Sequence, residues 1–174
     1  FDKSGLKNFI LTSGIKNFKD YLLGVEVGLD TNARKNRGGK IMEEIVETLL
    51  KTVYSFEENR DYISQGSPEK VKKIWNLSMP IDKSTRKPDF ILYKKNKLFW
   101  IETNFYSGGG TKLKATCGEY KALHDFCKKN NLNFIWITDG IGWKETRLPL
   151  EETFIHNDYI FNLQMLRKGI LNFI

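Results

Sequence analysis

Apolar periods divide the chain into elements, and the polar breaks between them mark the turns. Residues 6–23 space Leu6, Phe9, Ile10, Phe18, Leu22 and Leu23 like one face of a helix, broken near Gly14. A polar, glycine-containing loop follows from Gly28 to Gly38. Residues 39–54 fit an amphipathic helix: Met42, Val46, Leu49 and Val53 share a stripe at the 3.6-residue period, with Ile45 and Leu50 beside it. On that helix Glu43 sits at the edge of the stripe, Glu44 points nearly opposite, to solvent, and Glu47 is intermediate. A first strand is placed near Asp61–Ser64, and further strands at 72–79, 86–94 and 98–106. Residues 112–130 form a second helix with Leu113, Tyr120, Leu123 and Cys127 inward, stopping at Asn130-Asn131. Asn133–Thr138 is a short buried strand, and Asp158–Lys168 is a closing helix capped by Asn157 or Asp158. The periods alone say mixed α/β.

Two carboxylates stand out against this pattern. Pro88-Asp89 opens the apolar run Asp89–Tyr93, Lys94–Lys97 makes a polar turn, and the run Leu98–Tyr106 returns with Glu102 inside it. Side chains alternate along a strand, so Trp100, Glu102, Asn104 and Tyr106 share one face, while Phe99, Ile101, Thr103 and Phe105 share the other and suit a core. A buried Glu needs a partner. Two readings follow from these residues: an ordinary hairpin with a hydrogen-bonded Glu, or a divalent metal shared between Asp89 and Glu102.

Charge and composition narrow the class. Lys and Arg number 28 against 21 Asp and Glu, an excess of seven that suits a polyanion. The excess is uneven: Arg34, Lys35, Arg37 and Lys40 precede Glu43, and Lys112 and Lys114 follow the Glu102 strand, where a phosphate backbone would lie. No apolar run approaches the roughly 20 residues of a membrane span. Cys117 and Cys127 fit neither a zinc pattern nor a disulfide framework and read as two reduced thiols of an intracellular protein. His124 and His156 read as isolated structural or surface residues. The 174 residues make one domain, and the start at Phe1 suggests a missing N-terminal segment.

Longer motifs carry a resemblance. Pro-Asp, a gap and Glu-x-polar is the active-site signature of the PD-(D/E)XK nuclease fold. There Asp and Glu bind magnesium, and the residue two after the Glu is usually Lys; here it is Asn104. Val25–Arg37 leading into Gly38–Glu43, Phe105–Leu113, and Trp136–Trp143 together closely resemble the DpnII/MboI family of type II restriction endonucleases, from about Gly24 to the C-terminus.

The resemblance implies a PD-(D/E)XK restriction-endonuclease-like α/β core, a central mixed β-sheet flanked by helices. It implies a cytoplasmic enzyme that makes Mg2+-dependent double-strand cuts 5′ of the G in unmethylated GATC. It implies a homodimer on a palindromic DNA site, paired with a cognate DNA methyltransferase. Asp89 and Glu102 would be metal ligands, and Glu43 a third acid acting from behind them or on a second ion. Asn104 can hydrogen-bond the attacking water but cannot serve as a base, so the proton acceptor stays open between water activated by metal alone, Glu43 and Lys112. The loop Ser107, Gly108, Gly109, Gly110, Thr111, Lys112 could bring backbone close to a phosphate at a helix start, or be a flexible connector. Asn32, Arg34, Asn36 and Arg37 offer base-edge chemistry, with Lys35 on phosphate; the other reading is a solvated basic loop. Asp139 and Trp143 read as further DNA contacts or as structural residues. A repair nuclease or junction resolvase of the same fold, and a DNA-binding module without catalysis, remain as alternatives.

Overall fold

The computed structural model describes residues 31–82 and 86–174, with the backbone alone for residues 31–38. The stretch 6–23 and the start of the Gly28–Gly38 loop lie outside the described residues. In chain order the elements are α1 (Thr31–Val53), β1 (Tyr62–Ser64), α2 (Pro68–Trp75), β2 (Phe90–Lys94), β3 (Lys97–Phe105), α3 (Thr111–Lys129) and β4 (Asn133–Asp139). A 3-10 turn (Ile141–Lys144), α4 (Arg147–His156), β5 (Tyr159–Phe161), α5 (Leu163–Arg167) and a last 3-10 turn (Ile170–Phe173) follow.

One five-stranded mixed sheet runs in the order β1-β2-β3-β4-β5. Its first three strands are antiparallel neighbours, and β3, β4 and β5 are parallel. The β2–β3 hairpin turns on Lys95 and Asn96, both at positive φ. Such a two-residue turn carries the right-handed strand twist. The parallel steps need crossovers, which α3 and α4 supply.

Both faces of the sheet are covered, as the α/β class requires. On one face α1 lays Met42, Ile45, Val46, Leu49 and Leu50 against Phe90, Leu92, Phe99, Ile101, Ile135 and Ile137, with Leu163 and Leu166 of α5 beside them. On the other face α3 lays Leu113, Cys117, Tyr120, Leu123 and Cys127 against Ile91, Trp100, Phe134 and Trp136. Each fully buried aliphatic side chain contributes about 1.5–3 kcal/mol. The face of β3 that carries Glu102 is therefore core as well: Trp100 is wholly buried.

Three expectations are corrected. The stretch Thr31–Gly38 is helical rather than a loop, because α1 runs straight through Gly38-Gly39. Two glycines weaken a helix by roughly 1 kcal/mol each without ending it. The strand expected at 72–79 is instead α2 followed by an irregular stretch. Its signals are local: Ser67 caps by accepting from Lys70 N, Pro68 opens the first turn, and Asn76 closes the helix in the left-handed conformation. The closing helix expected at 158–168 divides into β5 and the short α5, capped by Asn162 accepting from Met165 N. Asn157 ends α4 instead of starting that helix. The three-residue apolar run Tyr159–Phe161 pairs with β4, a tertiary outcome that overrides its helix-like spacing.

Candidate active site

Glu102 lies mid-strand in β3 and is 7% exposed. Its two oxygens are held separately. Trp100 Nε1–H donates to Oε1 at 2.7 Å, and the Tyr120 hydroxyl of α3 donates to Oε2 at 3.2 Å. Burial, and then the charge of Asp89, push its carboxyl up to about 7. Burial is the larger cause, since a carboxylate among Trp100, Tyr120 and Trp136 loses most of its hydration.

Asp89 stands one step before β2, where the ladder pairing of Phe90 with Ile101 sets it across from Glu102. Its Oδ2 accepts from Thr103 N at 2.7 Å and from Thr103 Oγ1 at 2.9 Å. These bonds favour the ionised form, yet burial outweighs them and raises its pKa. Glu43 reaches in from α1. Its Oε2 accepts from Gln65 Nε2 at 2.8 Å, and burial followed by the charge of Asp89 raises its pKa. Gln65 also donates its backbone N–H to the Asp89 carbonyl at 2.8 Å, so one residue after β1 ties the α1 acid to the β2 acid.

The three acids thus form one electrostatic group, linked through Asp89. The nearby cations are Arg86, acting on Asp89 and Glu102, and Lys40, acting on Glu43. They do not offset the burial, for all three carboxyls stay above their ordinary values. An oxygen-rich group short of positive charge suits a hard divalent cation such as Mg2+. The trio is looser than the His124–Asp125–His156 group, whose ligand atoms lie within 4.8 Å of one another.

Asn104, in the position usually held by Lys, accepts from Trp136 Nε1–H at 2.8 Å and hydrogen-bonds the Tyr120 hydroxyl. It belongs to the network that fixes Tyr120 and, through it, Glu102. Gln65, Arg86 and Tyr120 escaped the sequence reading as site residues. Arg86 lies in the basic run before Pro88-Asp89; its guanidinium stacks 5.6 Å over the Tyr120 ring and pairs with Glu119. Its Nη1 is buried without a hydrogen-bond acceptor among the described residues.

The whole of this arrangement falls within one known family. The profile of the DpnII restriction endonuclease family matches residues 1–173. The chain belongs to that family. Among its curated relatives, the type II restriction enzyme MjaIII of Methanocaldococcus jannaschii is 49% identical, over 98% of this chain and 60% of that protein. The type II restriction enzyme DpnII of Streptococcus pneumoniae is 38% identical over 98% and 60%. MboI of Moraxella bovis is 37% identical over 97% and 58%. The chain therefore spans about three fifths of the length of the relatives it matches. Among solved structures, protein VC1899 from Vibrio cholerae aligns over 83% of this chain and 35% of its own, at TM-score 0.44 and 14% identity.

The basic and glycine-rich segments singled out in the sequence fall in different places. Asn32, Arg34, Lys35, Asn36 and Arg37 occupy the first turns of α1, on the helix that carries Glu43; their side chains lie outside the described residues. Ser107–Gly110 forms the corner between β3 and α3. Gly109 N donates to Glu145 Oε2 at 3.2 Å and Gly110 N to Thr146 Oγ1 at 3.4 Å, so the corner is docked on the next turn rather than hanging free. Gly110 sits at φ 128, which suits glycine alone. A carboxylate on the Gly109 N–H marks that amide as able to hold an anion. Lys112 is exposed in the first turn of α3.

Asp139 and Trp143 are buried and hydrogen-bonded within the fold. Asp139 is buried, with Oδ1 accepting from Gly140 N at 2.7 Å and Oδ2 from Leu163 N at 3.3 Å. Trp143 donates to Thr138 Oγ1 at 2.9 Å and packs edge-on against Tyr106 and Trp136. The two histidines are not isolated: their rings lie 5.4 Å apart. Cys117 and Cys127 are buried free thiols, and burial pushes Cys127 up to about 12. Among the described residues no helix is long and apolar enough to cross a membrane.

Proposed function

We propose that this chain is the catalytic domain of a type II restriction endonuclease that cuts double-stranded DNA at unmethylated GATC, 5′ of the G, with Mg2+. The observation that carries the proposal is the convergence of Glu43, Asp89 and Glu102 from three separate elements, with Gln65 bridging Glu43 to Asp89 and the β2–β3 pairing setting Asp89 across from Glu102. Asp89 and Glu102 would hold the ion, with Glu43 beside Asp89. Bound there, Mg2+ would polarise the scissile phosphate and neutralise charge on the leaving oxygen. Trp100 and Tyr120 fix the rotamer of Glu102, and Thr103 fixes that of Asp89. Glu43 is the favoured proton acceptor: its raised pKa makes it a stronger base than an ordinary carboxylate. Asn104 and Arg86 orient the group around Tyr120.

The basic start of α1 and the Gly108–Lys112 corner are the proposed DNA contacts. Of these, Arg34 or Arg37 reads guanine, Asn32 and Asn36 suit adenine, and Lys35 and Lys112 hold phosphate. A palindromic target favours a homodimer, and protection of host DNA requires a methyltransferase partner in the same cytoplasm.

The test is digestion of unmethylated and adenine-methylated plasmid with Mg2+. Discrete GATC fragments from the unmethylated DNA alone are expected. Asp89→Ala and Glu102→Ala should abolish cutting and keep DNA binding. Structure-dependent nicks would point to a repair nuclease or resolvase, and tight binding without cutting to a DNA-binding module.

A further inference from the structure

Away from the acids, three ring-nitrogen contacts converge on the outer surface of α3. His156 Nε2, at the end of α4, lies 2.8 Å from Asp125 Oδ1. His124 Nδ1 lies 3.4 Å from that same oxygen. His124 Nε2 lies 3.1 Å from Asp158 Oδ2, just before β5. A neutral imidazole has one N–H, so His124 in that state cannot donate to Asp125 and Asp158 at once. If Nε2–H donates to Asp158, Nδ1 presents a lone pair to the Asp125 oxygen. Two facing lone pairs call for a proton or a metal cation between them.

We infer that His124 Nδ1, His156 Nε2 and the Asp125 carboxylate form a binding site for a zinc-class dication, with Asp158 fixing the His124 tautomer. A ring N–H donated to a carboxylate behind a ligating imidazole is the usual support of such sites. Two imidazoles and a carboxylate match zinc rather than Mg2+ or Ca2+, which take oxygen. Ligand atoms about 2.1 Å from a tetrahedral ion are separated by about 3.4 Å. The Nδ1–Oδ1 distance of 3.4 Å already fits. The 2.8 Å contact must open slightly, and His156, being exposed, has room to move. His124 is 4% exposed and held edge-on to His156, so the site starts from one rigid ligand. A bound ion would clamp α3 to the α4–β5 junction, and the fourth position would stay open to solvent. The site is separate from the proposed Mg2+ group and independent of that reading.

The chain has only two histidines, which makes the test clean. Tag-free, chelator-treated protein is titrated with Zn2+ by calorimetry and with Co2+ by visible absorption, in excess Mg2+. One equivalent should bind with micromolar or tighter affinity, raise the melting temperature and give the d–d bands of nitrogen-ligated cobalt. His156→Ala and Asp125→Asn should each weaken Zn2+ more than tenfold, and Asp158→Asn by about ten- to a hundredfold. Glu102→Gln should keep the site. His156 and Asp125 are exposed, so their variants should fold; native-like circular dichroism confirms it. Absence of Zn2+ binding, or full affinity in His156→Ala, overturns the inference and leaves an imidazolium paired with two carboxylates.

Discussion

Glu102→Gln is expected to make the metal-free protein more stable at high pH. The replacement keeps the shape: its amide oxygen still accepts from Trp100 Nε1, and its amide nitrogen meets Tyr120 with the bond reversed, donating to the hydroxyl oxygen as the protonated acid would, so the packing around residue 102 survives. What it removes is a titration. Folding raises the Glu102 carboxyl from an ordinary 4.5 to about 7, chiefly by burial. A group raised on folding contributes stability that is full below its unfolded pKa and lost as pH rises through its folded pKa. The window is therefore pH 4.5 to 7, and the loss across it is about 3 kcal/mol. In a chain of this size that is roughly 6–12 °C of melting temperature. Asp89 and Glu43 are also raised and add slope of the same sign to both proteins.

The assay is urea unfolding of wild type and variant in chelator, from pH 4 to 8. The difference between the two stabilities should be small at pH 4 and grow in favour of the variant by about 3 kcal/mol at pH 8. Adding Mg2+ at pH 8 should stabilise the wild type much more than the variant, since the ion restores the missing charge to an intact ligand pair. Curves that stay parallel across the window would refute the claim that Glu102 is buried at an energetic loss. With that claim would go the main reason for placing a cation there.

Four further outcomes follow. Glu43→Ala should lower DNA cleavage by about a hundredfold while Glu44→Ala stays within a few-fold, because Glu43 alone of the two reaches Gln65 and feels Asp89; equal losses would show the helix register misjudged. Arg86→Gln should move the acidic limb of the cleavage pH profile upward by about half a pH unit or more, since it removes the cation that favours the ionised forms of Asp89 and Glu102; an unmoved limb would reduce Arg86 to packing on Tyr120. Lys35→Ala and Lys112→Ala should weaken all DNA sequences alike and lower the salt slope by about one, whereas Arg34→Ala or Arg37→Ala should lose about 1–3 kcal/mol at GATC only; equal loss on a shuffled site by both Arg variants would make the start of α1 an electrostatic clamp. Gly140→Ala should destabilise by about 3 kcal/mol or more, because a Cβ there would meet the Tyr106 carbonyl oxygen at 2.1 Å with φ at 121; a small change in urea midpoint would show that the Tyr106–Gly140 contact can relax.

The parts of the site that could be read in the sequence are those set by a local period. The β2–β3 hairpin was legible because alternation fixes which side chains face together, and Lys95-Asn96 fixes the register that sets Asp89 across from Glu102. Glu43 was legible because a 3.6-residue wheel places it beside Leu50 whatever the helix packs on. The errors came where a local signal was weighed too lightly or a distant partner decided the outcome. Ser67-Pro68-Glu69 announces the start of α2, yet Trp75, Leu77 and Met79 after it alternate at the strand period. Tyr159–Phe161 became a strand because β4 offered a free edge, which no local pattern reports.

The same limit hid the residues that surround the three acids. Gln65 matters because the chain leaves β1 in a left-handed conformation and turns its amide to Glu43, 22 residues earlier. Arg86 matters because Tyr120, on a helix beyond the next two strands, gives its guanidinium a ring to lie on. His124 and His156 read as isolated because 31 positions separate Asp125 from His156, and only the fold of α4 back onto α3 closes that gap. Residues that bear charge in a local pattern can be named from the sequence, while those that set the charge state come from elements the pattern does not join. That division explains why the three acids stand out in the sequence and the groups around them do not. It also places the next test at Gln65, Arg86 and Tyr120 rather than at the carboxylates themselves.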